Sequence, residues 1–67
     1  MTDQEFNKAM EHIISALSRR GYDPYEQLTG YITTGEARYI TSSENAREII
    51  KTLDMPKVKS YVLQMKK

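Results

Sequence analysis

Apolar residues recur along the first third of the chain at helical spacing, with Phe6, Met10, Ile13 and Leu17 following one another at steps of four, three and four. Ala9, Ile14 and Ala16 flank this row, while Glu5, Lys8, Glu11, Ser15 and Arg19 lie mostly on the other side. A stripe of that period describes an amphipathic helix with one buried face. Thr2, followed three residues later by Glu5, has the form of a capping box, in which each side chain satisfies the other residue's backbone N–H. Arg19 and Arg20 suit the negative end of the helix dipole, and Gly21 supplies the left-handed residue at which helices stop. The pattern predicts a helix from about residue 3 to residue 20.

Asp23-Pro24 is a second start signal, because Asp accepts bonds from free backbone N–H groups and Pro at the first helical position loses nothing. Tyr25, Leu28, Tyr31 and Ile32 then recur at helical spacing, weakened by Thr29, Thr33 and Thr34 and closed by Gly35. Gly30 interrupts them. A glycine inside a helix costs about 1 kcal/mol relative to Ala, so it is expected where another backbone comes close or where the helix bends.

Glu36-Ala37-Arg38-Tyr39-Ile40 has no helical period and reads as a loop pinned to the core by Tyr39 and Ile40. Thr41-Ser42-Ser43-Glu44 opens a third helix that any of the three hydroxyl residues could cap. Its stripe is Ala46, Ile49, Ile50 and Leu53, with Arg47, Glu48 and Lys51 turned outward. Asp54 and Pro56 restart the chain as a last helix carrying Val58, Tyr61, Val62 and Met65. With no internal repeat or linker, the expectation is one all-α domain over residues 1–67, a bundle of four to five short helices.

Size bears on assembly. A chain of 67 residues hides a smaller share of its surface than a longer one, and without cysteine or a Cys/His cluster it must rely on packed helices or self-association. A homodimer is the expectation. Ten Lys and Arg against nine Asp and Glu leave no strong positive field for nucleic acid. Apolar runs of two or three residues fall far below the roughly 20 needed to cross a bilayer. The start Met1-Thr2-Asp3-Gln4-Glu5 lacks the basic and apolar stretches of a signal peptide. A cytoplasmic location is expected, with no membrane partner.

Candidate chemistry is sparse. His12 is the single imidazole, but no nucleophile, orienting acid or further ligand accompanies it, so it reads as a surface or half-buried helical residue rather than a base or metal ligand. No cofactor, metal or enzymatic activity is expected. Gly30 and Gly35 bracket a Thr-rich turn without the Gly-Lys-Ser/Thr ending of a phosphate loop, which leaves packing and helix termination as their roles. Five tyrosines could anchor a partner, though in a small core they more often fill space with a wet hydroxyl. Arg38, Arg47 and Lys51 are placed on one side of the third helix and the loop before it, as a candidate protein-binding patch. A small helical DNA-binding protein is the alternative, using Arg47, Lys51, Lys57, Lys59, Lys66 and Lys67. Against it, no Arg, Asn or Gln row marks a recognition face.

The block Arg20-Gly21-Tyr22-Asp23-Pro24-Tyr25-Glu26-Gln27-Leu28-Thr29-Gly30-Tyr31 resembles the Lys-Gly-Tyr-Asn-Pro-x-x-Gln-Ile-x-Gly-Tyr segment of the IreB-type regulatory phosphoprotein family. Thr34-Gly35-Glu36-Ala37-Arg38-Tyr39-Ile40 is similar to that family's Ser-Gly-Asp-Pro-Ala-Tyr-Ile. Asn45-Ala46-Arg47 followed by Ile50 resembles its Asp-Ala-Arg helix opening. The likeness runs from about residue 4 to residue 63.

The resemblance implies a compact helical homodimer without enzymatic activity, found in low-GC Gram-positive bacteria. It further implies a substrate of a membrane Ser/Thr kinase that controls peptidoglycan precursor synthesis, through Clp-protease turnover of the first committed enzyme. In that family phosphorylation of a Thr in an N-terminal extension sets the control; here Thr2 is the single threonine ahead of the first helix and so the candidate. The family's Pro-Arg-His stretch is Thr41-Ser42-Ser43 in this chain. Ser42 thus stands in place of an Arg implicated in wall regulation, while Arg47 is retained.

Overall fold

In the computed structural model, which describes residues 2–65, helix α1 spans Asp3–Arg19 and starts on the expected capping box. The Glu5 N–H donates to Thr2 Oγ1 at 3.1 Å, and the Thr2 N–H donates to Glu5 Oε1 at 2.9 Å. The helix ends at Gly21, whose φ is 85°. Tyr22 N–H returns to the Leu17 carbonyl and Gly21 N–H to that of Ser18, which is the bonding of a Schellman motif.

Helix α2 (Pro24–Thr34) opens on Asp23, whose carboxylate accepts from the N–H groups of Tyr25 and Glu26, and it closes on left-handed Gly35. Gly30 is required by a close approach, as expected, but the neighbour is the ring of Tyr39 rather than a backbone. Residues 36–40, expected as a loop, contain a 3-10 turn, η1 (Ala37–Tyr39). Three residues are too few to leave a period in the sequence.

The third helix departs most from expectation. A 3-10 turn, η2 (Ser43–Asn45), precedes α3, which occupies only Ala46–Lys51. No hydroxyl caps it. Its N-cap is Asn45 in a left-handed conformation without a side-chain cap bond, and the Thr41 hydroxyl instead accepts from Ser43 N–H at 3.1 Å. Leu53 is buried as expected but lies beyond the helix end. Helix α4 (Met55–Met65) follows, with Val58 N–H bonded to the Asp54 carbonyl.

Helix α1 packs on α3 and α2 on α4, while α1 also meets α2. Phe6, Met10, Ile13 and Leu17 of α1 join Leu28 and Tyr31, Ile40, Ala46 and Ile50, and Val58 and Val62 in one apolar core. Full burial of a Leu-, Ile- or Met-sized side chain contributes about 1.5–3 kcal/mol. Phe6 meets Tyr61 edge to face at 6.0 Å between ring centres, joining α1 to α4. Among the described residues none that is buried is polar or charged.

Candidate partner-binding surface

The surface that holds the predicted basic residues is built on Tyr39. Its ring lies over Gly30, and its carbonyl accepts from Gln27 Nε2 at 2.8 Å, so α2 fixes η1 from two sides. Ile40 is fully buried next to it and anchors the end of the turn. Arg38, immediately before these anchors, is exposed. Its guanidinium stands 5.8 Å from the centre of the Tyr39 ring, pairs with Glu36 at 3.3 Å, and leaves the side chain 72% exposed. An ion pair so open to water is worth little, so the Arg38 charge stays available to a partner.

Arg47 is placed differently. Its side chain is half-buried, and Nε donates to the Ile40 carbonyl at 2.9 Å, tying the first turn of α3 to the residue that ends η1. Sequence reasoning set Arg47 on a solvated helix face and missed this bond. A guanidinium has five N–H donors in a rigid fork, so the bond to Ile40 orients the group while others remain for a partner. Lys51 lies one turn further along α3 and pairs with Glu48 at 3.9 Å. Through the packing of η1 on α3 and the Arg47 bond, Arg38 and Arg47 belong to adjoining elements, with Lys51 on the same helix.

Thr2, the candidate phosphorylation site, lies in the α1 capping box and not in an extended tail. It is exposed, and its hydroxyl is already engaged by Glu5. The Glu5 carboxyl is held below the usual carboxylate range by the Thr2 backbone N–H first and the Thr2 hydroxyl second.

His12 is exposed on α1 with Nε2 2.7 Å from the Glu44 carbonyl oxygen, and Arg19 reaches the Glu44 carboxylate at 2.6 Å. These contacts, from residues far apart in sequence, had no local signal. No group of three or more His, Asp or Glu residues that could hold a metal occurs among the described residues. Tyr31 is in the core, Tyr25, Tyr39 and Tyr61 pack against it, and Tyr22 is exposed.

The alternative DNA-binding reading gains nothing from the geometry. Arg47 and Lys51 lie on α3 whereas Lys57 and Lys59 lie on α4, so these cations are divided between two helices and not gathered on one recognition helix. Lys66 and Lys67 lie outside the described residues. No helix among them is long and apolar enough to cross a membrane.

Fold and surface together define a small all-α protein whose buried residues, among those described, are apolar. The chain belongs to the IreB regulatory phosphoprotein family, which matches residues 1–65. It is similar to a UPF0297 protein of Ruminiclostridium cellulolyticum, with 37% identity over 65 residues, covering 92% of this chain and 74% of the relative. It is also similar to a UPF0297 protein of Clostridioides difficile, 37% identical over 54 residues, or 81% of this chain and 64% of that relative. The second match thus spans less than two thirds of the relative's length.

Proposed function

We propose that this chain is a non-enzymatic regulator that works by binding another protein through Arg38, Arg47 and Lys51. The family match over residues 1–65 carries the reading. The anchoring of Arg47 on the Ile40 carbonyl adds to it, because a held guanidinium loses less freedom on binding than a loose one. Following the resemblance, its place is among cytoplasmic, kinase-controlled regulators of peptidoglycan precursor synthesis, cell-wall stress and antibiotic resistance. A Ser/Thr kinase acts on Thr2, where a phosphate would add nearly two negative charges at the start of α1.

The working form in this reading is a homodimer. The small core and Leu63, which is 61% exposed on α4, support it. Sedimentation tests this part: a dimer that Leu63→Glu dissociates is expected, and a wild-type monomer at high concentration counts against it.

Affinity capture from a cell lysate tests the binding surface. The wild-type chain is expected to retain a protein that Arg38→Glu and Arg47→Glu lose. Equal capture by wild type and both variants would rule the surface out. Mass spectrometry after kinase treatment tests the modification, since phosphate found on Thr2→Ala would move the site elsewhere.

A further inference from the structure

Glu44 (φ 55°, ψ 28°) and Asn45 (φ 62°, ψ 17°) are the non-glycine residues with positive φ among those described, and they are consecutive. A β-carbon makes left-handed backbone unfavourable. Asn eases it with local hydrogen bonds, and Glu is less suited. Such residues persist where the surroundings over-determine them. Here the surroundings are on α1: His12 Nε2 lies 2.7 Å from the Glu44 carbonyl oxygen, and Arg19 Nη1 donates to Glu44 Oε1 at 2.6 Å.

The sequence shows what this turn displaces. Thr41-Ser42-Ser43-Glu44 has the same hydroxyl-to-carboxylate spacing as Thr2-Asp3-Gln4-Glu5, which forms a complete capping box on α1. At α3 the box is not made. The Thr41 hydroxyl accepts from Ser43 N–H, Arg19 takes the Glu44 carboxylate, and Asn45 caps the helix without a side-chain bond. Helix α3 is left with six residues, too few to sustain a helix without tertiary support. Apart from the carboxylate that Arg19 holds, the local chemistry of a helix starting one turn earlier is in place.

We infer that residues 41–45 are a two-state element. In one state α1 holds the left-handed turn through His12 and Arg19; in the other, Glu44 swings back to the Thr41 N–H and α3 extends over residues 42–51. An anionic group that draws Arg19 from Glu44 shifts the balance toward the longer helix. Because Arg47 donates to the carbonyl of Ile40, immediately before this segment, the change also alters how Arg47 is displayed. That consequence rests on the partner-binding reading, whereas the equilibrium itself does not.

Nuclear magnetic resonance of the isolated chain tests the inference without a partner, so its failure leaves the binding surface standing and the reverse also holds. Wild type is expected to show strong intraresidue HN–Hα contacts at residues 44 and 45, as positive φ demands. His12→Ala combined with Arg19→Gln changes exposed side chains only. It should weaken those contacts and move the Cα shifts of residues 42–45 to helical values. Asn45→Ala, which keeps both ties but penalises the left-handed form, should shift the same residues in the same direction, and adding Asn45→Gly to the double variant should restore the turn. Positive φ retained in both the double variant and Asn45→Ala overturns the inference, as does a move of residues 41–45 to random-coil shifts.

Discussion

The ring of Tyr39 occupies the space that a side chain at residue 30 would need: a β-carbon built on Gly30 would lie 2.6 Å from Tyr39 Cδ1 and 2.7 Å from Cε1. The glycine that weakens α2 is the same one that lets η1 dock on it. Since Gln27 also holds the Tyr39 carbonyl, the backbone that carries the ring is fixed against α2.

Gly30→Ala is therefore expected to destabilise the fold by about 1–3 kcal/mol through overpacking. Helix propensity alone predicts the opposite sign, a gain of about 1 kcal/mol. Urea unfolding decides between them, and Tyr39→Ala should be tolerated better in the Gly30→Ala background than in the wild type.

The capping box makes stability depend on acid pH. Glu5 has its folded pKa lowered from 4.5 by its bonds to Thr2. Its contribution is therefore present above the unfolded value and disappears as pH falls through the lower folded value. Urea midpoints for wild type and Glu5→Gln should differ at neutral pH and converge in acid. Thr2→Ala should cost about 1 kcal/mol at neutral pH, as loss of a helix cap does.

Arg47→Ala removes the donor to the Ile40 carbonyl and is expected to cost about 1–3 kcal/mol, because a partly enclosed acceptor is left without its bond. Arg38→Ala, at a side chain 72% exposed, should change stability by less than about 0.5 kcal/mol. Parallel thermal melts separate the two, and equal losses would mean that Arg47 is not an anchor.

The Thr29 hydroxyl is enclosed without a hydrogen-bond partner. Thr29→Val keeps the shape and removes the polar atom, so it should stabilise the protein by about 1 kcal/mol. Calorimetry reads the change as a rise in melting temperature.

Helices α1 and α2 were legible in the sequence because their ends are written locally, in Thr2 and Glu5, Gly21, Asp23-Pro24 and Gly35. The start of α3 was not. Thr41, Ser42 and Ser43 all favour a cap, yet His12 and Arg19, far away in sequence, hold Glu44 in a conformation that breaks the helix there. Arg47 follows the same logic, since its place among outward residues was readable but its bond to Ile40 depends on where η1 docks. The family resemblance, carried by residues around Gly21, Gly30 and Gly35, needed no such long-range information.

The proposed grip on a partner runs through η1 and α3, the elements that carry Arg38, Arg47 and Lys51. Titrating isotope-labelled chain with its captured partner, while following backbone resonances, tests it most directly. Arg38, Ile40, Arg47 and Lys51 are expected to shift first and furthest, and Arg47→Glu to abolish the response. Shifts confined to the outer face of α4, with the Arg47 region unmoved, would contradict it.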